Sequence, residues 1–267
     1  MKRWLTLLGI YLLLALACQG GWIGSHWAVQ HDLLENIPPS ARAWLGTDHL
    51  GRSLSANLLQ GCRLALGLGS LSALIGVLLG TLMGFLAAWK KGAVDAICLW
   101  VAGVSTAIPG LLLALLLAFI LGHGFWTLCL AIGFSSWVGI FRLVRAEVLR
   151  LQNQSFMEAA QTFGASPWFL FRRHFLPHLK PLLAVQFGLL FVFAVQAEVV
   201  LSFLGVGIDS MPSWGRMIAD AWAWDDLGFG NYWRMGSATF AMAGLVLAIQ
   251  QICELSLTQK KRRINCE

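Results

Sequence analysis

The chain has 267 residues, of which 58% are apolar and only 12% charged, and its mean hydropathy is +0.70. Soluble domains carry about 25% charged residues, so a water-facing surface cannot be built here and an ordinary soluble protein is excluded. The net charge of +6 does not mark a nucleic-acid surface, because the basic residues sit between apolar runs in a pattern that topology explains. Six cysteines are present, with no CxxC pair among them. They make neither a disulfide framework nor a zinc site, and they read as small buried apolar residues.

A helix needs about 20 mostly apolar residues to cross the hydrocarbon core, and six stretches qualify as candidates: 4–23, 64–88, 94–121, 125–141, 182–205 and 236–257. The first follows Lys2 and Arg3 and ends near Ala15-Leu16-Ala17-Cys18. That pattern also fits a cleaved signal sequence, but an uncleaved first span, residues 1–23, is the reading adopted. Residues 24–63 then form an outer segment. The second stretch places Ser72, Gly76, Gly80 and Gly84 on one helix face. Small residues let another backbone approach closely, either within the bundle or across a dimer. Pro109 should bend the third span. Gly122 to Gly124 turn the chain into a short fourth span.

The segment 142–181 is the largest inner loop. Ser155 and Glu158 form an S-x-x-E capping box that starts a helix. Gly164 suits the left-handed residue at its end. Ser166 caps a second helix with Pro167 at its first position, and that helix is expected to stop near Pro177. Two short helices at a sharp corner result, carrying Phe163, Trp168, Phe169 and Phe171. Such an apolar corner either seeks a partner groove or lies flat on lipid. In the fifth span Glu198 is the one acidic residue at depth, with Ser202 one turn on. A buried ionisable group in a span faces protein or a water-filled path, so both pathway lining and structural pairing are open for Glu198 and Ser202. An outer loop, 206–235, leads to the last span and a basic tail, 258–267. Residues 64–257 make up the core.

Lys and Arg concentrate on cytoplasmic segments. With the N-terminus inside, fourteen of the nineteen basic residues are inner; Arg42, Arg52, Arg63, Arg216 and Arg234 are the five outer ones. The expectation is therefore an all-α polytopic bundle of about six spans in the lipid bilayer, with both termini inside. The outer segments carry Asp32, Glu35, Asp48, Asp209, Asp220, Asp225 and Asp226, which makes that face slightly acidic. Gly46-x-x-x-x-Gly51-Arg52-Ser53 mimics a phosphate loop but has Arg in place of Lys and follows no strand. No other such loop occurs, so nucleotide hydrolysis must belong to another chain. His174 and His178 are four apart with Pro177 between them, and a metal pair there is not expected.

Glu158-Ala159-Ala160, Gly164 after three further residues, and His174-Phe175-Leu176-Pro177 resemble the E-A-A loop of bacterial ABC importer permeases. Gly46-Thr47-Asp48-x-x-Gly51-Arg52, Ser202-Phe203-Leu204-Gly205-Val206-Gly207 and Pro212-Ser213-Trp214-Gly215 resemble stretches of the dipeptide, oligopeptide and nickel permease group. The chain departs from that pattern at Ser53, His178 and the basic run Lys260 to Arg263. The resemblance implies a type I importer permease with no catalytic site or cofactor of its own. ATP would be bound by two ATPase subunits, beside a second permease in a heterodimer and an extracytoplasmic solute-binding protein. It assigns Glu158, Ala159, Ala160, Phe163, Gly164, Ala165, Ser166 and Pro177 to ATPase coupling. Peptides are the first substrate choice and nickel or a metal chelate the second. A membrane enzyme would need clustered catalytic groups, and only scattered histidines are present. An ATP-independent carrier would not need the capped corner.

Overall fold

The computed structural model of the chain describes residues 2–29, 35–41, 43–208 and 210–264. The described residues form ten α-helices: α1 (Lys2–Gln19), α2 (Leu54–Lys90), α3 (Gly92–Ala107), α4 (Gly110–Leu121), α5 (Phe125–Gln152), α6 (Ser155–Thr162), α7 (Pro167–Leu170), α8 (Leu176–Phe203), α9 (Trp214–Ala223) and α10 (Tyr232–Ile264). A π-turn, Phe171–Phe175, joins α7 to α8. Among the described residues the only β pairing is one isolated bridge, Thr47 to Ser53. Among the described residues four helices are long and apolar enough to cross a membrane, the bent pair α3/α4 passes the same test only when its two helices are taken together, and α1 is a shorter apolar helix.

The bundle is organised around α2, which packs on α5, α8, α1, α3 and α10. The stripe of small residues on α2 faces α5, which decides between the two uses open to it. A methyl group on Gly80 would lie 2.7 Å from the Trp137 carbonyl, and one on Gly84 2.7 Å from the Phe141 carbonyl. Across the seam, Gly133 of α5 makes the same room for Ile75, at 2.7 Å. The two backbones therefore touch, as close packing in lipid requires.

Four boundaries differ from those expected from sequence. α2 starts ten residues earlier than its apolar run, because Leu54, Ala56, Asn57 and Gln60 are buried in its first two turns. The span after α2 bends at Pro109 as expected, but the bend is a 93° break that divides it into α3 and α4. Ile108 is extended there (φ −101°, ψ 129°), the conformation a following proline imposes. α5 continues to Gln152 instead of ending near Phe141, which shortens the loop after it. The helix entered at Pro167 does not stop at Pro177: Trp168 to Phe203 form one unbroken apolar rod of 36 residues. The π-turn explains this last difference. The Leu176 N–H bonds back five residues to the Phe171 carbonyl, so the register shifts before Pro177 arrives without an N–H.

The bundle has two ends. One, the corner end, gathers the C-termini of α2 and α5 with α6 and α7. Phe85 and Trp89 of α2 there meet Phe175 edge-on at 5.5 and 6.3 Å. The other, the loop end, holds residues 35–41 and 43–53, α9 and the start of α10.

Gly80→Val should destabilise the detergent-purified protein by about 1–3 kcal/mol, the usual cost of overpacking. A lowered midpoint in a thermal unfolding series is the readout. Gly103→Ala, where an added methyl meets nothing within 4 Å, should leave that midpoint in place or raise it.

Candidate functional site

The corner is built from local chemistry. α6 ends at Gly164, whose φ is +75°, and the Ala165 N–H returns to the Ala160 carbonyl at 3.2 Å. That six-residue closure is the C-terminal motif glycine permits. Ser166 then caps α7: its Oγ accepts from the Phe169 N–H at 3.3 Å and its carbonyl from the Leu170 N–H at 3.0 Å. Beneath the corner, Met157, Leu170 and Phe175 are fully buried, with Ala160 and Ala165 packed on them. Above it, Phe163 is 90% exposed and Trp168 68% exposed. Glu158 and Ala159 lie on α6, but their side chains lie outside what the structure describes, as do those of Lys260 to Arg263. Pro177 is exposed on the rod beside the corner. The structure thus brings Ala160, Phe163, Gly164, Ala165, Ser166 and Pro177 to one end of the molecule.

The histidine pair is spoken for. The His178 Nδ1 lies 2.7 Å from the His174 carbonyl, and the Phe156 ring lies 6.0 Å from both imidazoles. Nearby, Arg145 of α5 grips Asp95 of α3 through two bonds, 2.6 and 2.5 Å. One turn earlier Arg142 donates to Thr106 at 3.2 Å, next to the α3/α4 break. Ala107, Ile108 and Pro109 at that break are exposed.

Glu198 and Ser202 lie near the loop end, away from the corner. Glu198 is 2% exposed. Its Oε1 accepts from the Ser202 hydroxyl at 2.7 Å, and Ser202 Oγ in turn accepts from Ser213 at 3.3 Å. Ser213 caps α9 by accepting from the Arg216 N–H at 3.1 Å. Trp214, fully buried, donates its Nε1–H to the Leu58 carbonyl of α2 at 3.0 Å. Outside these, Arg216 and Asp220 line two adjoining cavities of about 80 and 260 Å3, the smaller also lined by Trp27, Arg52 and Asn57. Burial pushes the Asp220 carboxyl up against the opposing pull of Arg216 and Arg52.

The stretch that mimics a phosphate loop is closed by its own aspartate. Asp48 Oδ1 accepts from the N–H groups of Leu50 (2.9 Å) and Arg52 (2.8 Å), and Oδ2 from Arg52 Nε at 2.6 Å. The amides that would cradle a phosphate are already satisfied.

Sequence reasoning missed one cluster altogether. Arg234, 2% exposed, donates to Asp226 Oδ1 at 2.8 Å, to Asn36 Oδ1 at 2.7 Å and to the Thr47 carbonyl at 2.9 Å. His49 lies 3.1 Å from the same Asp226 oxygen and stacks on Trp224. These bonds fasten residues 35–53 to the base of α10. The partners stand 8 to 198 positions away along the chain, beyond any local pattern. An arginine opening an apolar run was the one available signal. Asp32, Arg42 and Asp209, counted with the outer charges, lie outside the described residues.

Comparison with known proteins matches residues 76–256 to the family described as binding-protein-dependent transport system inner membrane component. The chain is 36% identical over 239 residues to the dipeptide transport system permease protein DppC of Bacillus subtilis (strain 168), covering 88% of this chain and 74% of that one. It is 36% identical over 187 residues to the glutathione transport system permease protein GsiD of Pectobacterium atrosepticum, covering 70% and 62%. It is 34% identical over 184 residues to the oligopeptide transport system permease protein OppC of Bacillus subtilis, covering 68% and 60%. The alignments therefore span about three fifths of the length of the last two. In fold the chain is similar to a chain of the inward-facing MetNI methionine ABC transporter, with TM-score 0.63 at 17% identity over 75% of this chain and 94% of that one.

Arg234→Met would leave the buried Asp226 with only the His49 imidazole beside it, and removing one partner of a buried ion pair costs about 3–5 kcal/mol. Limited proteolysis read by mass spectrometry should then cut within residues 35–53 at protease concentrations that spare the wild type.

Proposed function

The chain belongs to the family of binding-protein-dependent transport system inner membrane components, and from that premise we propose that it is one of two permeases of an ATP-driven peptide importer. The observation that carries this reading is the corner: two exposed aromatic side chains, Phe163 and Trp168, on a capped turn rooted in a buried core. A free monomer gains nothing from that exposure, whereas aromatic anchors are what interfaces use. Its occupant is a cleft on an ATPase subunit, one under each permease. The residues of the coupling set are Glu158, Ala159, Ala160, Phe163, Gly164, Ala165, Ser166 and Pro177. ATP is bound by those subunits, and this chain needs no cofactor.

The corner end lies in the cytoplasm of a bacterial inner membrane, in keeping with Lys90, Lys91, Arg172, Arg173 and Lys180 at that end. The loop end meets the loaded solute-binding protein. The second permease, in a heterodimer, covers the α3/α4 break. Irregular backbone at membrane depth is tolerated against protein or a water-filled path and not against lipid, and Ala107 to Pro109 are open in the single chain. On this reading the break, with Thr106 and Arg142, lines the translocation pathway. Peptides are the substrate class supported, since the relatives above are named for dipeptide, oligopeptide and glutathione transport. For Glu198 and Ser202 the enclosed geometry favours a structural connection over contact with cargo.

The test is reconstitution with the candidate ATPase subunits, second permease and binding protein in proteoliposomes. Uptake of a labelled dipeptide should require ATP and the binding protein; ATP-independent uptake, or purification with no ATPase attached, would refute the reading. Phe163→Ala should keep the fold within about 0.5 kcal/mol, as surface changes do, yet weaken ATPase association at least tenfold, the loss of a hot-spot aromatic.

A further inference from the structure

The rod from Trp168 to Phe203 is 36 residues long, about 54 Å at 1.5 Å per residue. Its first turns lie in the corner and its last turn touches α9. Three hydroxyl and carboxyl groups make that last contact, all nearly closed to solvent: Glu198, Ser202 and Ser213. The donors run in one direction. The Arg216 N–H gives to Ser213, Ser213 to Ser202, and Ser202 to Glu198. Each hydroxyl accepts one bond and donates one, so the chain of bonds is complete in either protonation state of the carboxyl.

Two glycines let the backbones meet around it. A methyl group on Gly215 would lie 2.6 Å from the Val199 carbonyl and 2.7 Å from Ser202 Cβ, and one on Gly207 would strike Ser202 as well. α9 cannot slide along the rod without parting these contacts, since close-packed surfaces hold discrete arrangements. α9 also carries Arg216 and Asp220, which line both outer cavities.

We propose that Glu198, Ser202 and Ser213 form a rigid joint, so that α8 and α9 move as one body through the transport cycle. Displacement of the corner is then delivered directly to the outer face, and Glu198 acts as a positioning residue rather than as a cargo ligand. This inference rests on the importer reading above. It adds that the loop end is driven by the same rod the ATPase moves, with no hinge between them.

A cross-link separates a joint from a hinge. The two hydroxyls are 3.3 Å apart, which places cysteine sulfurs at the same positions within reach of a disulfide. In the reconstituted complex, S202C/S213C should oxidise readily, shown by loss of alkylation at both positions. Peptide uptake by the oxidised form should stay within about twofold of the reduced form. A drop of tenfold or more that reductant restores, with oxidised wild type unaffected, would overturn the joint, as would failure of the disulfide to form. A second pair of variants reads the carboxyl. Glu198→Gln keeps the acceptor oxygen and should retain the wild-type ratio of peptide moved to ATP hydrolysed, whereas Glu198→Ala should lower that ratio at least fivefold. Equal losses in both variants would assign Glu198 a charge-dependent role and overturn the proposal. If wild type itself shows no ATP-driven uptake, the importer reading fails; if wild type transports and the cross-linked form does not, the joint alone fails.

Discussion

Helices in a bilayer gain little from hydrophobic burial against one another, because lipid tails are as apolar as leucine. Association must come from close packing, and in this chain that means the seam between α2 and α5. Gly76, Gly80 and Gly84 on one side and Gly133 on the other bring carbonyl oxygens against the opposite backbone. Nearly everything else hangs on that seam. α8 lies across α2 with Phe191 and Val195 pressed onto Gly69, at 2.8 and 3.0 Å from where its methyl would be. Trp214 reaches α2 only because Gly61 has no side chain in its way, with 2.6 Å to the indole. A single helix thus sets the position of the corner, the rod and α9 at once.

The corner was legible in the sequence because its chemistry acts over a few residues. Gly164 takes a positive φ and Ser166 bonds three residues on, and both are properties a serine or a glycine shows in any context. The same local logic failed at Pro177. A proline stops a helix when nothing outside the helix opposes it, but Phe175 and Leu179 are fully buried against the end of α2. Tertiary packing holds the axis straight, and the π-turn takes up the missing hydrogen bond. At Pro109 no comparable packing exists, so the proline effect appears at full size as the 93° break. Two prolines of similar local setting therefore behave oppositely, and burial of the neighbours separates them.

The loop end was the least legible part. Its motifs were visible as letters, yet their physical roles emerged only in three dimensions. Gly46 has a φ of +76° and no room for a methyl beside the Ile37 carbonyl, Asp48 closes its own turn, and Thr47 offers its carbonyl to Arg234. Asp48 finds its partners two and four residues on, but Gly46 and Thr47 meet theirs far along the chain, and Arg234 draws on two separate segments. A buried arginine with a paired carboxylate and two neutral acceptors is costly to assemble and costly to break. That asymmetry gives the segment before α2 one register on the bundle instead of several.

Packing also divides the molecule into stiff and compliant parts. α2, α5 and the rod interlock through backbone contact and large buried side chains such as Phe141, Leu68 and Phe175. α3 and α4 do not: their buried residues are Cys98, Ala102, Ala114 and Ala118, all small, while Trp100, Phe119 and Ile120 point away from the subunit. Polar contacts to α5 tie α3 at both ends, the Arg145–Asp95 pair at its first turn and the Arg142–Thr106 bond at its last. A helix pair broken in its middle by 93°, with only small side chains buried, has a low cost of displacement at that break. Ile108 and Pro109, exposed and outside either helix, are the backbone at which that displacement costs least.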